Sequence, residues 1–350
     1  MKESRLRVGV VGLGMGKNHA ESYRGLTNAE LTAICDTDEA WAEHLQEQWS
    51  VPSVFADYLE MFASDEVDAV SIALPTHLHH PATVAALQSG KHVLIEKPMA
   101  MNAAEAESMA TAARNGNRVL MISMNQRFGQ DAVFIKRCVE QGHLGQVYFA
   151  RSVWRRPLGC LPPSQYERPT GTYHGVNWFN EAEKGGGAAR DLGAHMIDLA
   201  MWFMGFPEIE SVSGGTYTMF GPEAWKGKGV KFDADDHAVG FVRFSNGATL
   251  QIEISYGQHT DKQEVVTELF GSEGGVYRSA LDHCIKLFGS QCGGYTTAEV
   301  RLQEITRSPQ AEFVESILEE RQPLVTLEQG IAVMRVIDGI YGAGPRVTKS

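Results

Sequence analysis

LRVGVVGLGMGKNH, residues 6–19, decides the fold. An apolar run of strand length, without polar alternation, passes into Gly12, Leu13, Gly14, Met15 and Gly16 and then into a helix-like segment. A dinucleotide's pyrophosphate needs close backbone approach and a helix N-terminus aimed at it, which is why residues without Cβ belong here. The spacing is GxGxG, one short of GxGxxG, with Lys17 where the third glycine would fall. A glycine turn alone fits many loops, but the next strand-like run, ELTAICD, ends at Asp36, 22 residues after Gly14, where an acid can bind both adenosine ribose hydroxyls. Thr37 and Asp38 follow, with no arginine to receive a 2′-phosphate, so the pattern favours NAD over NADP. The competing reading is a tight turn and a surface aspartate. Lys17 fits either a partner for pyrophosphate charge or a solvated lysine.

The pattern continues outward from this turn. LRVGVVG, ELTAICD, DAVSIALP, HVLIEKP and VLMISMN read as strands, and residues 17–26, 38–48, 79–89 and 102–115 read as helices between them. Unalternated strands separated by helices indicate a doubly wound parallel sheet covered on both faces. After a helical segment at 129–141 the pattern changes: QVYFARSVWRR, SVSGGTYTMF, HAVGFVRFSNGATLQIEISYG and VVTELFGSEGGVYR are strand-like, with turn signals at Asn246-Gly247 and Gly274-Gly275. They surround one helix-like stretch, GGGAARDLGAHMIDLAMWFMG, and helical patterns return near 310–320 and 328–340. The expected architecture is α/β: a Rossmann-like domain over residues 1–125, then an α+β domain on an open, mainly antiparallel sheet over 126–350. The C-terminal helices pack either within the second domain or back on the first. Residues 157–172 and 221–236 read as long loops.

Composition bounds the function. The 350 residues carry a formal charge of −12, which works against nucleic acid and anionic membrane as partners. No apolar stretch approaches the length of a membrane span, and the N-terminal run is short and broken by glycines, unlike a signal peptide. Five scattered cysteines without a CxxC fit a reducing compartment, with cytoplasm the default.

Three further places carry chemistry. Pro75 and Thr76 close a strand-like run at the carboxyl edge of the sheet, where ligands gather. The histidines of HLHH after them lack partner spacing for a metal, so no metal is expected; His79 reads as a helix-start residue packing or capping near the cofactor. In HVLIEKPMA, residues 92–100, Glu96 and Lys97 stand between an apolar run and Pro98, a strand end where an α/β enzyme can hold a catalytic cation. In the glycine-led helical stretch, Asp191 and His195 fall at i and i+4 on one face. A carboxylate there can hold the ring tautomer and stabilise its protonated form, as an alcohol-deprotonating base requires. Asp198 shares the face, as an orienting or a structural acid, and the pair reads equally as structural.

Together GLGMGKNH, ICD, ALPTHLHHPA, GKHVLIEKPMA, MNQRF and GGGAARDLGAHMIDLAMWFMG resemble the Gfo/Idh/MocA oxidoreductases over almost the whole chain. The resemblance implies that Lys97, Asp191 and His195 are the active-site lysine, aspartate and histidine. It also implies that Glu96 and Pro98 flank the lysine, with Pro98 fixing its backbone near the nicotinamide, and that Pro75 and Thr76 line the nicotinamide ring; the shortened glycine spacing departs from the commonest family pattern, so Gly16 follows the family's cofactor loop less closely than Gly12 and Gly14. The implied reaction moves a hydride between NAD and a secondary alcohol of a sugar, sugar derivative or cyclitol. His195 takes the hydroxyl proton and Lys97 stabilises the oxygen. Orienting such a polyol calls for polar and aromatic partners, with Asn125, Arg127, Trp154, Arg155, Arg156, His174 and Trp178 as candidates; most of these fit a domain junction or the surface equally well. The resemblance further implies a homodimer or homotetramer through the second domain's sheet. Two rival readings keep the fold: glycoside hydrolysis or elimination through an internal NAD redox cycle, and a non-catalytic dinucleotide-binding regulator.

Overall fold

The structure, a computed structural model, describes residues 5–158, 165–167, 173–175, 177–227, 229–291, 294–300, 307–343 and 347–348. It divides into two compact units, Met1–Met124 with Pro163–Val176 and Arg307–Ile331, and Asn125–Pro162 with Asn177–Thr306 and Ala332–Ser350.

The first unit alternates β1 (Leu6–Val11), α1 (Gly16–Arg24), β2 (Ala29–Cys35), α2 (Glu39–Trp49), β3 (Ser53–Phe55), α3 (Tyr58–Ala63), β4 (Ala69–Ile72), α4 (His79–Gln88), β5 (His92–Ile95), α5 (Ala103–Gly116) and β6 (Leu120–Ile122). The six strands pair in parallel in the order β3-β2-β1-β4-β5-β6. Parallel neighbours require a crossover, and the helices supply it. Helix starts are set locally: Asp38, Asp57 and Asn102 accept the N–H of Trp41, Leu59 and Glu105 at the heads of α2, α3 and α5. Every residue of β4 and β6 is buried, as their unalternated sequences imply. The strand order reverses between β1 and β4, so the carboxyl ends of these two strands define the crevice where such sheets bind ligands.

The chain continues through α6 (Gln130–Glu140), β7 (Val147–Pro157), β8 (Gln165–Glu167), β9 (Tyr173–Gly175), α7 (Ala188–Phe203), β10 (Ile209–Thr218), α8 (Gly221–Trp225), β11 (His237–Phe244), β12 (Thr249–Gln258), β13 (Glu264–Gly271), β14 (Gly274–Ser279), β15 (Cys284–Gln291), β16 (Gly294–Val300), α9 (Pro309–Leu318), α10 (Leu327–Gly342) and β17 (Val347–Thr348). β8, β9, α9 and the first residues of α10 count with the first unit, where α9 packs on α1 and the Ser22 hydroxyl donates to Ser308.

The second unit is built on a nine-stranded sheet, β16-β15-β14-β13-β7-β12-β11-β10-β17, antiparallel except for the β7–β12 and β10–β17 pairs. Helix α7 lies on β12, β7 and β11, with most of its side chains buried. It starts after Gly187, whose φ of 113° suits glycine alone; a Cβ there would stand 2.0 Å from the Asp235 carboxylate. Among the described residues no helix is long and apolar enough to cross a membrane.

Some elements differ from expectation. The Gly274-Gly275 pair lies inside β14, not in the turn, which falls at Ser272 and Glu273; Gly274 is needed because a Cβ would meet the Phe288 and His143 carbonyl oxygens at 2.7 and 2.9 Å. The sequence does not predict β3, α3, β8, β9, β15, β16 or β17, and within the expected loops residues 165–167 form β8 and residues 221–225 form α8.

Candidate active site

In the first unit the cofactor turn is held from behind. Gly12 takes φ of 82°, and a Cβ on it would lie 2.5 Å from the Ala73 carbonyl oxygen beyond β4, so glycine lets the two strand ends close together. The Leu13 N–H donates to Asp36 Oδ2 at 2.8 Å, and the Trp41 indole donates to the Leu13 carbonyl at 3.1 Å. Asp36 also accepts the Asp38 N–H at Oδ1, 2.9 Å. These bonds orient the Asp36 carboxylate at the end of β2. Gly16 is buried at the start of α1, where a Cβ would meet Val10 at 2.9 Å and Ala73 at 3.3 Å. It therefore does the close-packing work of a third glycine, one position early. Met15 is exposed at the mouth, and Lys17 reaches Glu21, 4.0 Å away on the same helix.

The turns after β4 and β5 complete this half. Pro75 precedes a 3₁₀ turn at Thr76–Leu78, and among the described residues the buried Thr76 hydroxyl has no hydrogen-bond partner. A buried hydroxyl with none among them, at the strand-order reversal, suits a ligand's polar group. The glycine turn, the oriented acid and this hydroxyl fit a nicotinamide dinucleotide.

His79 is 1% exposed, with its ring nitrogens each 2.8 Å from a backbone carbonyl, those of Pro98 and Leu74. It packs between the two turns, and a neutral ring donates to one of these carbonyls. Burial pushes its pKa down. His80 bonds Ser108, and among the described residues no group of histidines, cysteines and acids could hold a metal.

Glu96 Oε2 accepts the Lys97 N–H at 3.1 Å, and its Oε1 accepts from His19 Nε2 at 2.9 Å. With Nε2 donating, a neutral His19 ring accepts the Ser71 hydroxyl at Nδ1, 2.7 Å away, and Tyr23 closes the chain onto Ser71 at 3.5 Å. Burial raises the Tyr23 pKa, so it remains a donor. This buried relay fixes the backbone that carries the half-buried Lys97, whose bond to Pro98 is cis. Sequence reasoning missed His19, although it stands in the quoted GLGMGKNH.

In the second unit Asp191 and His195 lie one turn apart on α7. The His195 ring sits against Trp154, with centroids 6.1 Å apart, and the Arg156 guanidinium lies over the same indole, 5.4 Å from its centroid. Alternation along β7 explains the grouping: Ser152 bonds the Met196 carbonyl on α7, so Trp154 and Arg156 share the α7 side. Arg155 points to the opposite side and pairs with Glu264 at 2.7 Å and Glu253 at 3.8 Å.

Arg127 is wholly buried and grips Asp198 at 2.8 and 2.5 Å, with Trp202 and Phe206 over its guanidinium. Asn125 is exposed, Trp178 stacks on Phe179, and the side chain of His174 lies outside the described residues. Tyr256, unforeseen, is fully buried with its hydroxyl 3.0 Å from Asp191 Oδ2.

Residues 6–124 match the family model described as "Oxidoreductase family, NAD-binding Rossmann fold", and residues 133–277 match "GFO/IDH/MocA C-terminal domain". A D-glucoside 3-dehydrogenase of Escherichia coli (strain K12) is 32% identical over 279 residues, covering 77% of this chain and 76% of the relative. A myo-inositol 2-dehydrogenase of Thermotoga maritima is 29% identical over 78% of this chain and 75% of its own. The solved structure of a levoglucosan dehydrogenase in complex with NADH and levoglucosan superposes with a TM-score of 0.83, at 23% identity over 97% of both chains. Residues 6–124 therefore carry the family's NAD-binding Rossmann fold, and the chain belongs to the GFO/IDH/MocA oxidoreductase family.

Proposed function

We propose that this chain is an NAD-dependent dehydrogenase acting on a ring secondary alcohol of a sugar, sugar derivative or cyclitol, or on the corresponding ketone. The observation that carries the reading is the convergence, at the carboxyl edge of one parallel sheet, of the Gly12 turn, the oriented Asp36, the Thr76 hydroxyl and the braced Lys97. The dehydrogenase names of relatives that span three-quarters of the chain support the substrate class. Bound NAD supplies the hydride acceptor. Lys97 donates a hydrogen bond to the substrate oxygen and stabilises negative charge on it. His195 takes the hydroxyl proton at a ring nitrogen and returns it in the reverse direction, and Asp191 favours the charged ring. Trp154 offers an aromatic face to a sugar's C–H surface, and Arg156 offers paired donors to its hydroxyls or to an acidic substituent.

The test is an NADH-formation screen over free monosaccharides, glycosides, inositols and sugar acids with product identification. NADH and a keto product from a carbohydrate or cyclitol are expected. Activity confined to non-carbohydrate alcohols overturns the substrate class, and product without net NADH release indicates the internal redox cycle.

We also propose that the chain self-associates as a dimer or tetramer through the sheet side turned away from α7, where Phe241 and Phe270 stand 48% and 37% exposed. A monomeric mass in solution at working concentrations overturns that.

A further inference from the structure

We propose that Tyr256 is a positioning residue of the reaction, holding the Asp191 carboxylate in place for His195; this rests on the function proposed above. Tyr256 sits near the end of β12 with no exposed surface, under α7. Burying a phenol is costly unless its hydroxyl is bonded, so a buried tyrosine where phenylalanine would fill the same space marks a hydrogen bond in use. Two acceptors lie within reach, Asp191 Oδ2 at 3.0 Å and the Gly187 carbonyl at 3.2 Å. The hydroxyl has one proton, and a carboxylate is the stronger acceptor.

The ionisable groups acting on Tyr256 are Asp191 on α7, Asp235 ahead of β11 and Tyr341 on α10. Burial, reinforced by the two carboxylates, drives the phenol's pKa well above its ordinary value, so it is a donor at every working pH. Asp235 takes its bonds from the Tyr341 hydroxyl at 2.6 Å and the Ala189 N–H at 2.9 Å, while the Tyr256 hydroxyl is aimed at Asp191 and Gly187. The bond from Tyr256 fixes one oxygen of Asp191 one helical turn from His195. It also withdraws some charge from that carboxylate. Removing it leaves the base with a carboxylate of less defined direction.

Two measurements test this. In the first, 3-fluorotyrosine is placed at position 256 alone, and its fluorine resonance is compared with and without Asp191→Asn. A resonance that moves supports the contact, and one that stays overturns it. This readout needs neither turnover nor cofactor. In the second, steady-state kinetics of Tyr256→Phe are compared in the native and Asp191→Asn backgrounds. In the native background kcat should fall about ten-fold or more, the scale of one hydrogen bond to a charged group, with KM for NAD unchanged. In the Asp191→Asn background the same change should alter kcat by less than about two-fold, because the two residues act as one unit. Equal losses in both backgrounds would mean that Tyr256 merely supports the fold through Gly187 and overturn the positioning role. A native enzyme that reduces no NAD with any alcohol overturns the function and the positioning role together, while the fluorine resonance still decides the contact.

Discussion

Replacing Arg127 with methionine should strip Asp198 of its counter-charge inside the second unit. The side chains of the pair are 0% and 2% exposed, and two nitrogens of the guanidinium hold the carboxylate. Removing one partner of such a buried pair costs about 3–5 kcal/mol, because the remaining charge is left desolvated. At roughly 2–4 °C per kcal/mol for a unit of this size, Arg127→Met should lower Tm by about 6–20 °C. The loss should depend on pH with a definite sign. Burial already pushes the Asp198 pKa up against the pull of Arg127. Without Arg127 the folded carboxyl binds a proton at higher pH than the unfolded one, so its contribution is least harmful at low pH and worsens as pH rises. The deficit measured by circular dichroism should therefore be smaller at pH 5 than at pH 8. Arg127→Met with Asp198→Leu should recover much of the stability, since two apolar side chains leave no orphaned charge. A single variant melting within about 2 °C of the native protein, beyond which one kcal/mol would show, would refute the reasoning.

His195→Ala should lower kcat by on the order of 10² to 10⁴, with NAD affinity nearly unchanged by titration calorimetry. Gly12→Ala should do the reverse in emphasis: at φ of 82° and 2.5 Å from the Ala73 oxygen, the new Cβ forces the turn open, and NAD binding should weaken before any effect on chemistry is seen. Acid should destabilise the first unit through His92, whose pKa burial lowers from 6.5 to about 4 while its Nδ1 accepts the Val119 N–H at 2.9 Å. The unfolded chain binds the extra proton first, so this stability is complete above the unfolded pKa and is lost as pH falls from 6.5 toward 4. His92→Gln should flatten the Tm-against-pH curve across that window.

The first unit was legible because strands buried on both faces lose their alternation and stand out as apolar runs, and because helices must separate parallel neighbours. β3 and α3, at three and six residues, are too short to show a period. The Gly274-Gly275 pair misled because a glycine can serve a close strand crossing as well as a turn. Among candidate site residues, the motif segments single out Lys97, Asp191 and His195, but motifs do not show which polar group is already engaged. Arg127, in MNQRF, looked like a donor for a polyol and is instead locked to Asp198, 71 positions on. Arg155 and Arg156 must point to opposite sides of β7 by strand geometry alone, yet only the packing of α7 shows which side each takes. Tyr256 is 65 positions from Asp191, and no local pattern links them.

Strand β7 carries two independent sets of instructions in one stretch of chain. Its α7 side presents Trp154 and Arg156, while its other side presents Arg151 and Arg155, locked to Glu268 and to Glu264 and Glu253 on the neighbouring strands. Exchanges at positions 154 and 156 leave that ladder of opposite charges unbroken. A lineage can therefore alter alternate residues of this single strand without renegotiating the pairing that keeps it in register.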